Sequence, residues 1–272
     1  QSYAVTGEGN RWENIGAMMN RGIEVAIDGD IIRMNDFTWN LSANFSYNKN
    51  KLLELYNGVE EYVNSTTGLK YMVGHSVTEY FLNRYAGVNP ANGDALWYTA
   101  DGELTTEFRE DDKVMTGKTY ESPWAGGFGT TFIWKGISLS AQFSWMAKRY
   151  VMNNDRFFEE SNGIYSTYNQ SKRLLYNRWK KPGDKAKFKS ISLTESTPMS
   201  SRFVMKENYL SIESVRLGYQ FDSKWLKKAL RISSLNINMY MNSIARFSTL
   251  EDERGLYYPF ARSISFSLGA IL

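Results

Sequence analysis

Residues that could carry out chemistry are few and scattered in this 272-residue chain. It has no cysteine and one histidine, His75, which excludes disulfides and thiolate metal sites and leaves little basis for histidine catalysis. The acidic runs Glu110-Asp111-Asp112 and Glu251-Asp252-Glu253 lack the ligand spacing of a calcium loop. Gly126-Gly127-Phe128-Gly129 lacks the Lys-Ser/Thr ending of a phosphate-binding loop. We therefore expect no catalytic residue, no cofactor and no metal site, and predict that the chain is not an enzyme.

Two groups of polar residues could bind a solute without transforming it. The first mixes charge with aromatic rings, which suits sugars or peptides, and consists of Arg149, Asn153, Asp155, Tyr168, Arg178 and Trp179. The second alternates along one late segment and consists of Asn236, Asn238, Tyr240 and Asn242. Because amides supply donors and acceptors together, the second group could form a lumen wall that contacts a plug or a passing solute. Of the two interpretations of this group, we favour simple solvation of a polar wall.

Strands must position these residues, because most of the chain alternates apolar and polar side chains. Between 36 and 48, Phe, Trp, Leu, Ala, Phe and Tyr alternate with Thr, Asn and Ser. Neighbouring side chains of a strand point to opposite faces, so such a strand has one apolar side and one polar side. We predict nine strands, at 22–33, 37–48, 78–87, 94–99, 124–134, 137–148, 203–221, 231–242 and from about 263 to the end. The first half of 203–221 is out of phase, which indicates a bulge or an extension beyond a membrane.

The lengths of the strands and of their connections favour a membrane. Many strands approach the ~10 residues of a tilted crossing, and short turns alternate with long loops. Aromatic residues suited to the two girdles at the bilayer surfaces are Trp39, Phe45, Trp124, Trp134, Trp145 and Phe266. An open row of nine strands cannot be the complete barrel, because it would leave edges that lipid does not tolerate. We therefore predict an all-β, antiparallel transmembrane β-barrel of which this chain is the C-terminal part. The net charge of +3 is dispersed and indicates no nucleic-acid partner.

Several motifs together resemble SusC/RagA-type TonB-dependent outer-membrane transporters. They keep the order and approximate spacing of that family over nearly the whole chain, and lie at 14–24, 87–98, 101–102, 122–128, 134–140, 177–179, 182–183, 209–219 and 258–259. The resemblance implies a 22-stranded barrel whose plug domain and early strands lie outside this chain, with residues 1–272 forming its C-terminal part. One departure is Leu272, which stands where such strands usually end in an aromatic residue.

The resemblance also implies a function and partners. Family members import oligosaccharides or peptides across the outer membrane of Gram-negative bacteria, with a SusD-like surface lipoprotein as a lid and TonB acting through the plug. Ile164, Tyr168, Leu175 and Trp179 share one helical face, and Pro182-Gly183 would end that helix, so we expect one short helix in the longest extracellular loop. It would pack on the lipoprotein or simply cover the barrel rim. Two alternatives stay open: a structural or adhesive outer-membrane barrel without transport, and a soluble all-β carbohydrate-binding or hydrolytic module.

Overall fold

A computed structural model describes residues 16–64, 69–159, 171–191, 197–250 and 262–271. Strands dominate these residues. In chain order they are β1 Gly16–Arg33, β2 Phe37–Leu55, β3 Glu61–Val63, β4 Lys70–Met72, β5 Glu79–Val88, β6 Ala95–Tyr98, β7 Leu104–Thr105, β8 Lys113–Thr119, β9 Trp124–Trp134, β10 Ile137–Met152, β11 Val204–Phe221, β12 Ser234–Ser248 and β13 Ser263–Ile271. The three α-helices of this part of the chain are α1 Asn154–Glu159, α2 Lys172–Asn177 and α3 Lys224–Leu230. No helix in these ranges is both long and apolar enough to cross a lipid bilayer.

Seven long strands form one antiparallel sheet in the order β1-β2-β9-β10-β11-β12-β13. Tight links join β1 to β2 and β9 to β10 at one end of the sheet, and the link that carries α3 joins β11 to β12 at the same end. The long connections all lie at the other end. In barrels of the outer-membrane type the short turns are periplasmic and the long loops extracellular. The predicted alternation of turns and loops is confirmed.

Two of the nine predicted strands lie outside this sheet. The segments 78–87 and 94–99 do form strands, β5 and β6, but these belong to a separate four-stranded sheet of order β7-β6-β5-β8. That sheet and the β3–β4 hairpin lie within the connection from β2 to β9. With four residues, β6 covers only ~13 Å, far less than a tilted crossing needs. Seven strands, not nine, therefore form the barrel wall.

The helix prediction is partly wrong. The connection from β10 to β11 holds two short helices, α1 and α2, and a third helix, α3, lies in the link between β11 and β12. Ile164 and Tyr168 lie outside the described residues. Because α2 ends at Asn177, Trp179 is not on a helical face with Leu175. Leu175 is 63% exposed, whereas its neighbour Leu174 is buried.

Local backbone features fix the register of the sheet. Lys135 and Gly136 both have positive φ, 46° and 85°, as a two-residue hairpin turn of this type requires. On β11, Glu213 is an extra residue, since Gln142 pairs with Ser214 while Phe143 pairs with Ile212. This bulge places the apolar side chains on both sides of it, such as Ile212 and Val215, on the same face of the sheet. In addition, β10 and β11 remain paired beyond the end of β9. The bulge predicted for 203–221 is therefore confirmed, and the extension beyond a membrane stays a prediction.

One face of the seven-stranded sheet is apolar and uncovered. On it Trp39 stacks on Phe132 with ring centroids 5.6 Å apart, and Tyr47 contacts Trp124 at 4.2 Å. Leu268 near the edge is 72% exposed, and no second layer of described residues packs against this face. A soluble sandwich would bury such a face against another sheet.

The height of the apolar face fits a bilayer. Trp124 and Trp134 mark the two ends of the 11-residue strand β9 on the outer face. Ten residue steps cover ~33 Å along a strand, or ~25 Å along the membrane normal at a tilt of ~40°, which is the height of the apolar band of a membrane barrel. Phe45 and Trp145 lie near the long-loop end, 6.0 Å apart, whereas Phe266 lies mid-strand.

Candidate functional site

The opposite face of the sheet is a polar wall. Asn236, Asn238, Tyr240 and Asn242 all lie on this face of β12. Arg216 on β11 donates to Asn238 Oδ1 at 2.8 Å and stacks over the Tyr240 ring at 5.5 Å, while Asn238 Nδ2 donates to Ser267 Oγ at 3.3 Å. Asn238 thus bonds across three strands, and Asn242 is exposed.

Two glycines leave room for polar side chains on the same wall. The backbone N–H of Gly127 donates to Asn44 Oδ1 at 2.8 Å. A Cβ at Gly129 would come within 2.5 Å of Gln142 Oε1 and 2.8 Å of Ser42 Oγ, so neighbouring side chains occupy that space. A shallow cavity of about 410 Å³ adjoins these residues. Gly127 and Gly129 therefore leave room for these polar side chains on the wall.

A charged recess lies where the wall meets the long loops. Its cavity of about 320 Å³ is lined by Arg149, Asn153 and Asp155 together with Glu207 and Arg246. The Glu207 side chain is 3% exposed and lies between two guanidinium groups, 2.5 Å from Arg246 and 3.6 Å from Arg149. The structure thus brings three of the six predicted ligand contacts together around a buried carboxylate, paired with two partly exposed arginines, that the sequence analysis missed.

Two of the predicted residues of this recess, Arg149 and Asn153, also have partners within the chain. Arg149 Nε donates to the carbonyl of Tyr120 in the loop at 3.0 Å. Asn153 is 5% exposed, and its Oδ1 accepts from the Arg156 N–H at 2.8 Å, which caps the start of α1. These two side chains are therefore held in place by contacts within the chain.

Arg178 and Trp179 lie elsewhere and join the two long loops. The Trp179 indole N–H donates to the carbonyl of Pro90 at 3.0 Å, and its ring covers Gly93. Arg178 donates to the Lys189 carbonyl at 3.1 Å, and burial lowers the pKa of its guanidinium. Tyr168, the sixth residue of the set, lies outside the described residues.

Further contacts join the two loops into one layer, which we call the rim and which consists of the described parts of 56–123 and 153–203. Arg202 stacks over the rings of Tyr85 and Phe188 at 4.9 and 5.0 Å. The Tyr85 N–H donates to Ser201 Oγ at 3.0 Å, and Phe203 is fully buried. The rim is therefore packed like a small domain.

A tyrosine fastens the rim to the wall. Tyr80 Oη donates to the carbonyl of Tyr150 and accepts from the Met152 N–H, both at 3.2 Å. Burial raises the pKa of Tyr80, so its phenol stays neutral and can serve in both roles near neutral pH. The rim thus rests directly on the upper end of β10.

The remaining chemistry-bearing residues form no site among the described residues. His75 Nδ1 lies 3.0 Å from Glu79 Oε2, and that carboxylate is buried. Glu110–Asp112 form a single 3-10 turn, while Glu251-Asp252-Glu253 lie outside the described residues. No group of three or more histidine or acidic residues in the described segments is arranged to hold a metal ion.

A sheet with an uncovered apolar outer face, a polar inner wall and a packed rim at one end is the wall of an outer-membrane-type β-barrel. No protein-family model matches the chain. It is 26% identical to a TonB-dependent receptor of Formosa agariphila, over 90% of this chain and 28% of that protein. It is 25% identical to the TonB-dependent receptor SusC of Bacteroides thetaiotaomicron, over 96% of this chain and 27% of that protein.

Solved structures give the same result for the fold. The chain superposes on the RagAB peptide importer in its open-open state with a TM-score of 0.82 and 24% identity, covering 93% of this chain and 27% of that one. The closed-closed state gives a TM-score of 0.78 at 25% identity. The chain spans about a quarter of the length of the relatives it matches. Its sequence and fold are similar to a portion of SusC/RagA-type TonB-dependent transporters, and these relatives are named as receptors or importers.

Proposed function

We propose that this chain forms wall and extracellular rim of an importer in the outer membrane of a Gram-negative bacterium. The observation that carries the proposal is the uncovered apolar face on the back of a polar wall, because a face of this height matches the lipid-facing band of a membrane barrel. Within the described residues, β1 and β13 each pair with one neighbouring strand. The remaining strands of the barrel would pair with these two edges, and a plug would fill the lumen.

The solute we propose is an oligosaccharide or a peptide. Amide and hydroxyl groups of the inner wall suit either class, since both present many donors and acceptors. The recess around Arg149, Glu207 and Arg246 carries both signs of charge beside Asn153 and Asp155, which also suits the charged groups of peptides. The solute would bind at the mouth, and TonB would drive a rearrangement of the plug from the periplasm. This chain would supply contacts and no chemistry.

We propose a SusD-like lipoprotein as the partner that closes over the rim. The rim exposes several large apolar side chains, which in a surface loop layer indicate an interaction surface. Among them Tyr62, Leu104, Tyr176 and Ile191 are 50 to 74% exposed.

The test is uptake by cells that carry the intact transporter. Fluorescent oligosaccharide and peptide pools would be offered to cells with and without TonB, and to cells that lack the transporter. Accumulation that requires both proteins supports import, and the pool that accumulates identifies the solute class. Surface binding that is independent of TonB, without accumulation, would favour the adhesive barrel. Gel migration that does not change on heating would exclude a membrane barrel altogether.

A further inference from the structure

Helix α3 carries a dense basic cluster at the periplasmic end of the wall. It lies between β11 and β12, and the link contains four cations: Lys224, Lys227, Lys228 and Arg231. One acidic residue, Asp222, is in the same link, and it accepts a hydrogen bond from Gln220. None of the four cations forms an ion pair with another residue of the described ranges. The cluster therefore has charge to offer to a partner.

Apolar side chains are exposed within the same short helix. Trp225 is 64% exposed and Leu230 is 54% exposed, whereas Leu226 is buried and anchors the helix. Ser223 caps the helix by accepting from the Trp225 N–H at 3.2 Å. A tryptophan beside lysines is typical of the boundary between lipid and water, where the ring meets acyl chains and the cations meet headgroups.

An apolar furrow opens on the outer face just above this helix. Its volume is about 350 Å³ and its lining is almost entirely apolar, with side chains from β10, β11, β12 and β13. Tyr219 lies two residues before the end of β11, and Ile237 lies three residues after the start of β12. At ~3.3 Å per residue, both are ~7–10 Å along the strand from the link that carries α3. The cations and the furrow are thus within the span of one lipid molecule.

We propose that α3 and the furrow form a binding site for an anionic phospholipid of the periplasmic leaflet. The phosphate would lie against the basic cluster, and an acyl chain would lie in the furrow. Two observations favour lipid: the furrow is continuous with the apolar band, and the positive charge complements an anionic headgroup. A periplasmic protein or another polyanion would account for the cations but not for the furrow. The inference rests on the proposed membrane placement of the strands.

The experiment uses the intact transporter in nanodiscs of phosphatidylcholine with added phosphatidylglycerol, and native mass spectrometry measures the retained lipid. The test variant replaces Lys224, Lys227 and Lys228 by Gln. Its control replaces three exposed lysines of the rim, Lys180, Lys181 and Lys185, by Gln. Each cation near an anionic surface adds about fivefold to affinity, so we expect the test variant to retain phosphatidylglycerol at least about tenfold more weakly. The control should retain it as the parent does.

A second measurement locates α3 relative to the membrane without changing the basic cluster. A nitroxide attached at Trp225→Cys should show strong spin relaxation by lipid-soluble oxygen and weak spin relaxation by a water-soluble nickel reagent. Unchanged retention in the test variant, or an equal loss in both variants, would overturn the proposal, as would a nitroxide exposed to the nickel reagent. Heat-modifiable migration is recorded for every variant, so a failure of the lipid site is distinguished from a failure of the barrel itself.

Discussion

The orientation of the sheet can be tested with one added charge on each face. Val215 lies on the outer face of β11, six residues before Phe221 at the periplasmic end. Six residues cover ~20 Å of strand, or ~15 Å along the normal at a tilt of ~40°, which places Val215 near the middle of a ~25 Å band. An arginine at that depth costs about 2–4 kcal/mol, a factor of about 30 to 700 in the folding equilibrium.

The matched control is Asn242→Arg. Asn242 pairs with Ser214, next to Val215 in the ladder, but its side chain is exposed on the polar wall. We expect Val215→Arg to reduce the fraction of transporter assembled in outer membranes and to lower the temperature of its heat-induced shift in gel migration. Asn242→Arg should leave both close to the parent. If the arginine on the polar wall were the harmful one and Val215→Arg were tolerated, the assignment of lipid and lumen would be reversed and the reasoning refuted.

Three further predictions concern the recess and the rim. Glu207→Gln leaves two arginines without the carboxylate that lies between them. We expect it to lower the free energy of unfolding by about 1–2 kcal/mol, less than the ~3–5 kcal/mol of a fully buried pair, because both arginines are partly exposed. Thermal unfolding should show a larger decrease in Tm than for the control Glu213→Gln, whose side chain is exposed. Gly93→Val would place a Cβ 2.5 Å from the Trp179 ring, whereas the control Gly183→Val has similar positive-φ strain but open space around it. Limited proteolysis should cleave the rim faster in Gly93→Val than in Gly183→Val. Equal cleavage rates would show that the contact with the ring is unimportant. Trp179→Phe removes the hydrogen bond to Pro90 and keeps much of the ring packing. Its rate of proteolytic cleavage should therefore lie between those of the parent and Trp179→Ala. A rate equal to that of Trp179→Ala would contradict a separate contribution from packing.

The wall could be predicted from the sequence because its signal is local. Alternation with a period of two appears within a single strand, and the phase change that Glu213 produces is visible in the same strand. The position of Glu207 could have been found from this phase, since Glu207 shares the face of Tyr209 and Ser211 once the bulge is placed. Its pairing with Arg246 could not, because the partner strand and register are needed for that.

The rim could not be predicted because its contacts connect distant parts of the chain. Trp179 and Pro90 are 89 residues apart in sequence, and Tyr85 and Ser201 are 116 apart. A tryptophan beside an arginine in a long loop looks like a ligand contact when nothing indicates which carbonyl its N–H will meet. The alternation of β5 resembles that of a membrane strand for the same reason. Strand pattern predicts which side chains share a face, but it does not identify the sheet to which a strand belongs.

The packing of the rim determines how a lid or a solute could act on the wall. Tyr80 bonds to both Tyr150 and Met152 at the top of β10, and Arg149 in the same strand bonds to the Tyr120 carbonyl of the rim and pairs with Glu207 on β11. A force on the rim therefore reaches the charged recess through one short strand end. Since packed layers move as units rather than deform continuously, closure of a partner over the rim would shift Arg149 relative to Glu207. In the proposed importer the recess is thus the place where lid closure and solute contact would be coupled, and the Glu207→Gln variant tests its stability.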